Sequence, residues 1–299
     1  MMYARILRSH WNPLDDRSSE TLNPEMVLSV LRDVRERIEH FDQTYSRFRA
    51  DSMVTQISQR AGSYMFPIDA IPLMAFYREL YDATNGAVTP LIGNVLSDAG
   101  YDAQYSLIEK PMTSPKAWDD VMVWNPAACE LTVREPVLLD FGAAGKGYCV
   151  DIVANILQTH GIGSFLIDAG GDICHRSGDG SRQSDGGRTK IGLENPSDTS
   201  QVIGIAIIAN QSICGSAGNR RRWGRFHHTI DPRTLESPNE LAAVWVVAPS
   251  TMLADGVTTA LQFTLPEHLA CLGTFEYAVL DPRHRVMSSS NFPGEFFAA

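Results

Sequence analysis

The sequence predicts an α+β protein with mixed β-sheets flanked by helices. Four segments repeat apolar residues at helical spacing, and six short runs have the composition of β-strands. The two kinds of segment do not alternate regularly, as they would in a doubly wound parallel sheet. We expect one domain over residues 1–299, with a division into two subdomains left open.

The first helix is predicted to begin at Asn23-Pro24 and to reach Tyr45. Asn can cap the first free amides, and Pro lacks the N–H that would go unpaired there. Three further helices are predicted at about residues 72–84, 148–160 and 251–263. The helix at 72–84 is predicted to stop at the turn dipeptide Asn85-Gly86. The strand-like runs are residues 121–124, 137–140, 165–168, 202–209, 243–248 and 277–280.

The charge balance bears on the partners of the chain. It carries 25 basic and 35 acidic side chains, a formal net charge of −10, and its pI is near 5.2. A protein that binds nucleic acid by neutralising phosphates needs a basic surface, so nucleic acid is disfavoured as a partner. The longest apolar run, residues 242–248, is far shorter than a bilayer span, and we expect no stable membrane insertion.

The cysteines bear on the cellular compartment. The chain has five, with no CxxC pair and no spacing typical of a zinc site. This usage indicates small buried side chains in a reducing compartment rather than a disulfide framework. No apolar segment of signal-peptide length and no lipid-attachment cysteine stand near residue 1. We therefore expect a cytoplasmic location.

The segment most informative about function is 140–151, DFGAAGKGYCVD, in which a predicted strand, a glycine-rich turn, a lysine and a helix follow one another. The glycines allow the backbone to approach a ligand closely, and a helix N-terminus presents free amides to an anion. Lys146 adds a charge that suits a phosphate. The alternative is a tight strand-to-helix connection with a solvated lysine, and this segment alone favours neither interpretation.

Asp255 and Thr259 are four residues apart on the predicted last helix, so their side chains lie on one face. A carboxylate and a hydroxyl are oxygen ligands that suit Mg²⁺, which also takes waters and phosphate oxygens. Two ligands do not make a complete site. The alternative is that Asp255 is a carboxylate near a helix start, stabilised by the helix dipole.

Residues 220–228 hold the densest basic cluster of the chain, which consists of Arg220, Arg221, Arg222 and Arg225 followed by His227 and His228. Arginines beside aromatic residues can bind RNA, but the acidic balance disfavours that interpretation. A histidine near Asp231 is either a general base or, more commonly, a histidine hydrogen-bonded in a turn.

Two further segments are predicted to be turns or loops. The segment 165–173, FLIDAGGDI, indicates a buried strand that opens into a tight turn, with Asp172 held by local backbone hydrogen bonds. Residues 176–189 are rich in Gly, Ser, Asp and Arg, which is typical of a mobile surface loop.

Taken in order, these segments resemble the ApbE family of flavin transferases, also called FAD:protein FMN transferases. The resemblance covers about residues 41–265. It rests on the order of motifs that are each weak alone, namely YSRFRADS, GAVTP, DFGAAGKGYCVD, IDAGGDI, IGLENP, GNRRRW, HHTIDPRT and ADGVTTAL.

The resemblance implies an ApbE-like fold and Mg²⁺-dependent transfer of the FMN half of FAD to a threonine or serine hydroxyl of an acceptor flavoprotein subunit, with release of AMP. It implies that Asp255, Thr259 and the backbone carbonyl of Ala143 hold the metal. It implies His228 as the catalytic residue that activates the acceptor hydroxyl. The implied FAD contacts are Ala87, Val88, Thr89, Asp140, Lys146 and Ile230.

The chain departs from the family pattern at four positions. Thr89, Ala99, Ala217 and Leu235 stand where the resemblance leads us to expect Asp, Trp, Gly and Gly. Two other functions stay open beside transfer. One is an FAD pyrophosphatase that gives FMN and AMP, and the other is a non-catalytic FAD-binding protein.

Overall fold

The computed structural model describes residues 5–7, 23–178, 187–219 and 221–297. The helices of these residues are α1 (Pro24–Tyr45), α2 (Met53–Ile57), α3 (Ala70–Ala83), α4 (Gly93–Asp98), α5 (Trp118–Val121), α6 (Gly145–Thr159) and α7 (Thr251–Ala260). Short 3-10 helices cover Pro90–Ile92 and Pro266–Leu272. The strands are β1 (Arg5–Leu7), β2 (Gly62–Met65), β3 (Met122–Asn125), β4 (Glu130–Val133), β5 (Phe165–Asp168), β6 (Ile173–Arg176), β7 (Thr189–Asn195), β8 (Asp198–Ile208), β9 (Ser212–Ala217), β10 (Arg222–Trp223), β11 (Phe226–His227), β12 (Ala243–Ala248), β13 (Glu276–Leu280), β14 (Val286–Ser288) and β15 (Gly294–Phe296).

The strands form one large sheet and three small ones. The seven-stranded sheet has the order β1-β5-β6-β9-β12-β13-β14, the three-stranded sheets are β15-β8-β7 and β2-β4-β3, and β10 pairs with β11. Helices pack beside these sheets, which confirms the α+β class. Every strand pair described is antiparallel, so the sheets are not mixed in direction.

Strand β12 is buried on both faces, which explains the longest apolar run of the sequence. Its side chains alternate between two hydrophobic clusters, as the two-residue period of a strand requires. Val244, Val246 and Ala248 join the cluster that contains the helices α3 and α7. Ala243, Trp245 and Val247 join the cluster that contains residues of the β15-β8-β7 sheet. A strand covered on both faces has no polar positions, so the run is continuous.

The four predicted helices are confirmed, with shifted ends. The Asn23 side chain accepts a hydrogen bond from Glu25 N at 3.0 Å, which starts α1 as predicted. Helix α3 begins at Ala70 and is followed by Asn85 and Gly86 with φ of 50° and 82°. Helix α6 begins two residues before Gly147, and α7 ends at Ala260 rather than at residue 263.

The predicted strands are confirmed at 165–168 and 243–248 and extended in β8 and β13. Residue 121 ends α5, so β3 begins one residue later than predicted. The predicted strand at 137–140 is wrong. Its amides donate to acceptors outside any sheet: Val137 N to Ile57 O, Leu138 N to Asn94 Oδ1 and Asp140 N to Pro90 O. A segment of β-like composition therefore forms no hydrogen bonds to a neighbouring strand through these amides.

The predicted loop at 176–189 falls partly on residues 179–186, which lie outside the described residues. Its two ends are strand residues, because Arg176 ends β6 and Thr189 begins β7. Three of the five cysteines are buried as expected, whereas Cys129 is half-buried and Cys271 is exposed. Among the described helices, none is long and apolar enough to cross a membrane. The single domain over 1–299 stays a prediction.

Helices α6 and α7 cap each other. Asp151 of α6 accepts hydrogen bonds from Thr251 N and Met252 N, both at 2.8 Å, at the start of α7. Asp255 of α7 accepts a hydrogen bond from Gly147 N at 2.8 Å, in the first turn of α6. Each carboxylate satisfies amides that the partner helix cannot pair internally.

This arrangement needs glycine at position 147. A Cβ there would lie 2.3 Å from Thr251 O and 2.7 Å from Asp255 Cβ. We expect Gly147→Ala to lower the free energy of unfolding by about 1–3 kcal/mol, because the two helices must separate. That loss exceeds the gain of about 1 kcal/mol in helix propensity. Urea unfolding measures it.

Gly163→Ala is the control for this prediction. A Cβ at Gly163 would meet Gly178 Cα at 3.7 Å, an ordinary contact. Its unfolding free energy should stay within about 0.5 kcal/mol of the wild type. Equal stabilities of the two variants would contradict the required close approach.

Candidate active site

One cavity of about 560 Å³ collects all ten residues predicted for the site. These are Ala87, Val88, Thr89, Asp140, Ala143, Lys146, His228, Ile230, Asp255 and Thr259. They come from four stretches of chain, at 87–89, 140–146, 228–230 and 255–259. The volume is in the range of small-molecule and cofactor sites.

The cavity is lined by a set of polar residues, called the floor here, and by two apolar sets, called the walls, that belong to different hydrophobic clusters. The sheet wall consists of Ile173, Ile191, Ile213 and Trp245, from the cluster between the seven-stranded sheet and the β15-β8-β7 sheet. The aromatic wall consists of Phe48, Leu96, Tyr101 and Ile230, from the cluster around α4 and β10-β11. The floor contains Asp140, Ala143, Lys146, Asp255 and Thr259. The cavity therefore offers two separate apolar surfaces together with charged residues.

The three predicted metal ligands lie together on the floor. Thr259 Oγ1 donates to the Ala143 carbonyl at 3.4 Å, and Asp255 lies one turn before Thr259 on α7. Burial and the nearby Asp172 raise the pKa of Asp255, while Lys146 and the Gly147 amide lower it. Asp255 is the fifth residue of its own helix, so it is not a helix-start carboxylate there.

The candidate metal site contains one carboxylate. Within the described ranges, no group of three or more His, Cys, Asp or Glu side chains could hold a metal ion. One carboxylate, one hydroxyl and one backbone carbonyl form a set of hard oxygen donors that suits Mg²⁺. Such a set leaves coordination positions for water and for phosphate oxygens.

Most backbone amides of the glycine-rich turn donate hydrogen bonds to acceptors within the protein. Gly142 N donates to Asp140 Oδ1, and Ala143 N and Ala144 N donate to the Tyr77 hydroxyl. Gly145 N donates to Phe141 O, and Gly147 N donates to Asp255. Five of the six amides at 142–147 thus have protein acceptors, which contradicts the expectation that this turn presents free amides to an anion.

Lys146 supplies the positive charge of the floor. Its Nζ lies 2.9 Å from Asp172 Oδ2, and Asp172 is only 1% exposed. The prediction that local backbone bonds hold the Asp172 side chain is wrong. Asp168 takes that role, since its Oδ1 accepts hydrogen bonds from Gly170 N and Gly171 N, both at 3.0 Å. Burial raises the pKa of Asp172, and Lys146 lowers it.

Asp140 is paired with an arginine that the sequence analysis did not select. Arg47 is buried, and its Nε donates to Asp140 Oδ2 while its Nη1 donates to Tyr101 O at 2.6 Å. Its guanidinium lies over the rings of Phe48 and Tyr101, with Cζ 4.2 and 4.9 Å from their centroids. Arg47 therefore joins the aromatic wall to the floor. The sequence feature that could have identified Arg47 is its position between the aromatic residues Tyr45 and Phe48 in the motif YSRFRADS.

The two adjacent histidines have different surroundings. His227 is hydrogen-bonded in the turn: its Nε2 lies 2.8 Å from Pro238 O, and its Nδ1 accepts from Thr229 N at 3.2 Å. His228 faces the cavity, and its buried Nδ1 has no hydrogen-bond partner among the described residues. Burial, with Arg221 and His227 nearby, lowers the pKa of His228 to about 4. His228 is therefore neutral at pH 7.

The basic cluster does not form one patch. Arg220 lies outside the described residues. Arg221 lines the cavity and donates to the Tyr101 hydroxyl at 3.1 Å, whereas Arg225 pairs with Glu109 at 2.7 Å. Asp231, beside the histidines in sequence, pairs with Arg233.

The four departures from the family pattern have different settings. The Thr89 side chain accepts from Leu91 N at 3.2 Å and caps the 3-10 helix Pro90–Ile92. The Ala99 carbonyl accepts from Trp223 Nε1 at 2.7 Å, and Trp223 stacks on Tyr101. Leu235 adopts a φ of 62°, where glycine would be unstrained, and Ala217 lines the cavity. Phe48 and Tyr101 thus supply aromatic surface in a chain that lacks tryptophan at position 99.

The fold and the cavity define an α+β protein with one polar-floored cleft of cofactor size. The chain belongs to the ApbE family, whose sequence profile matches residues 16–274. It is 28% identical to the FAD:protein FMN transferase of Haemophilus influenzae, covering 87% of this chain and 78% of that protein. It is 22% identical to the enzyme of the same name from Klebsiella pneumoniae, covering 78% of this chain and 71% of the relative.

Solved structures show the same fold. The ApbE protein of Thermotoga maritima matches with a TM-score of 0.78 at 18% identity, over 93% of this chain and 94% of that one. The flavin transferase ApbE of Vibrio cholerae matches with a TM-score of 0.71 at 18% identity, over 98% and 99% of the two chains.

Removal of Arg47 tests the pair that supports Asp140. Arg47→Met leaves the Asp140 carboxylate without its cation, so we expect the free energy of unfolding to fall by about 3–5 kcal/mol. Chemical denaturation measures the loss.

Arg78→Met is the matched control, because Arg78 pairs with Asp82 and Asp119 at the surface. Exposed pairs contribute about 0–1 kcal/mol. Similar losses in the two variants would show that the Arg47 pair has no special role.

Proposed function

We propose that this chain transfers the FMN half of FAD to a threonine or serine hydroxyl of an acceptor protein, releases AMP and requires Mg²⁺. Membership of the ApbE family and the transferase names of the relatives support flavin transfer. The finer statements, on Mg²⁺ and on the acceptor hydroxyl, depend on the residues of the cavity.

The observation that carries the proposal is one cavity lined both by the polar floor and by apolar walls from two separate hydrophobic clusters. FAD consists of two flat ring systems joined through a pyrophosphate. The sheet wall and the aromatic wall offer a surface for each ring system, and the floor offers Lys146 and the metal ligands to the phosphates between them. A mononucleotide would leave one wall uncovered.

The proposed Mg²⁺ ligands are the Asp255 carboxylate, the Thr259 hydroxyl and the Ala143 carbonyl. Their oxygens are the donors that Mg²⁺ prefers, and Thr259 Oγ1 already lies 3.4 Å from Ala143 O. A bound Mg²⁺ would neutralise the pyrophosphate and stabilise the negative charge that develops on the leaving AMP.

The remaining floor and wall residues bind and orient FAD in this proposal. The Lys146 ammonium attracts a phosphate, and Asp140, held by Arg47, is placed to accept hydrogen bonds from the ligand. Ala87, Val88 and Ile230 are buried, and in this proposal they exclude water from the part of the cavity that Thr89 lines. The charges that receive the anionic cofactor are local, although the chain as a whole carries −10.

His228 is the proposed general base. Its neutral imidazole takes the proton of the acceptor hydroxyl as that oxygen forms a bond to the FMN phosphorus. The bond between this phosphorus and the AMP oxygen breaks, and AMP leaves with the electron pair. The low pKa of His228 in the free enzyme keeps its imidazole neutral, and the phosphates of bound FAD would raise that pKa toward the range useful for proton transfer.

One incubation separates transfer from its two alternatives. The protein is mixed with FAD and Mg²⁺, with and without a threonine-containing acceptor peptide, and AMP and peptide mass are measured. A peptide that gains FMN supports transfer. AMP without a modified peptide indicates an FAD pyrophosphatase, and retained FAD without AMP indicates a binding protein.

The cytoplasmic location and the absence of a nucleic-acid partner stay predictions. An acceptor flavoprotein is a proposed partner through the same activity. Fractionation of cells that produce the full-length protein would test the location.

Loss of the carboxylate on the floor tests the metal site. Asp255→Asn should lower Mg²⁺-dependent AMP release at least about 100-fold, because one direct ligand is lost, while FAD binding in EDTA persists. Asp281→Asn is the control, since Asp281 is a buried carboxylate that pairs with Arg285 in the turn between β13 and β14. Unchanged AMP release by Asp255→Asn would remove Asp255 from the metal site.

The pH dependence tests the base. His228 is protonated only as the pH falls through about 4, so the acidic limb of kcat/KM should lie near that value rather than near 6.5. Arg221→Gln removes a nearby cation, raises the pKa of His228 and should move the limb to higher pH. A limb near pH 6.5 that persists in His228→Gln would contradict the assignment.

A further inference from the structure

Two buried carboxylates, Asp172 beside the cavity and Asp255 on its floor, lie near the ammonium group of Lys146. Lys146 Nζ lies 2.9 Å from Asp172 Oδ2, and within the described residues Asp172 is the ion-pair partner found for Lys146. Asp255 is the second carboxylate, and it is 7% exposed. Lys146 therefore contacts one carboxylate, whereas no ion pair of Asp255 is found among the residues that the structure describes.

Lys146 is close enough to influence both. It is the residue before Gly147, whose amide donates to Asp255 Oδ2 at 2.8 Å. Burial raises the pKa of both Asp172 and Asp255, and the Lys146 ammonium opposes that rise in each, so its field reaches both carboxylates. A lysine has a flexible four-carbon stem, and without Asp172 its nearest anionic partner would be Asp255.

The position of the Asp172 side chain is set by its turn. Asp168 Oδ1 binds the amides of Gly170 and Gly171, and Ala169 N donates to Asp172 O at 3.0 Å. The turn lies between the paired strands β5 and β6, which hold both of its ends. The backbone of Asp172 is thus held at both ends of the turn, whereas Lys146 reaches the pair through a flexible stem.

We propose that Asp172 is a positioning residue that holds Lys146 away from Asp255 and so leaves the Asp255 carboxylate open to a divalent cation. The inference rests on the proposed function in one respect, which is the location of the cation at Asp255. Without Asp172, the Lys146 ammonium would pair with Asp255 and compete with the metal. The residue acts through Lys146 and does not touch the metal.

The experiment measures Mn²⁺ binding to the full chain saturated with FAD. The electron paramagnetic resonance signal of the free ion reports how much Mn²⁺ stays unbound. We expect Asp172→Asn to weaken Mn²⁺ binding about 10-fold, because the released Lys146 ammonium would compete with the ion for Asp255, and loss of an outer-shell residue commonly has an effect of this size. Asp281→Asn, a buried turn aspartate of the same sheet paired with Arg285, should leave Mn²⁺ affinity unchanged.

A double-mutant cycle with Lys146→Met separates positioning from simple charge loss. Removing Asp172 also removes a negative charge near the metal, and that direct effect persists when Lys146 is absent. Positioning requires Lys146, so Asp172→Asn should change Mn²⁺ affinity by less than about 2-fold in the Lys146→Met background. Asp172→Ser, which also removes the charge, allows the same cycle if the Asn amide is not tolerated in the fold.

The possible results of this cycle distinguish the positioning role from the proposed metal site. A 10-fold loss that disappears in the Lys146→Met background supports the proposal. An equal loss in both backgrounds, or none in either, overturns the positioning role while the proposed function stands. A wild type that binds no Mn²⁺ in the presence of FAD overturns the metal site and, with it, this inference.

Discussion

The reciprocal capping of α6 and α7 is the interaction on which the site depends. Asp151 satisfies the first amides of α7, and Asp255 satisfies an amide in the first turn of α6. Because the two helices touch at Gly147, residues near the start of α6 and on one face of α7 share a single floor. Lys146 and Thr259, 113 positions apart in the chain, line the same cavity for this reason.

Three acidic residues on or beside the floor have defined partners. Asp140 pairs with Arg47, Asp172 with Lys146, and Asp255 with the Gly147 amide. Burial raises the pKa of Asp172 and of Asp255, and these partners oppose that rise. The pairing lets a chain with a net charge of −10 place negative side chains around a centre proposed to receive an anionic cofactor. The positive charge there comes from individual side chains, since the amides of the glycine-rich turn are largely occupied.

Local patterns predicted the elements whose burial is simple. Helix α1 follows from its Asn23-Pro24 start and its apolar spacing, and β12 follows from its continuous apolar run. The same reasoning was wrong at residues 137–140, where the amides of a segment with β-like composition donate to residues of short helices instead of to a neighbouring strand. It also missed β7 and β9, whose polar and glycine residues line the cavity and break the apolar pattern.

The sequence by itself determined the four longest helices, the four-residue spacing of Asp255 and Thr259, and the order of motifs that indicates the ApbE family. Only the tertiary structure decided that Arg47 supports Asp140, that Lys146 pairs with Asp172, and that His228 rather than His227 faces the cavity. The physical reason is that sequence patterns report only on residues close to one another in the chain. Spacing along a helix places side chains within a turn of each other, whereas partners distant in the chain meet only where the packing of helices and sheets brings them together.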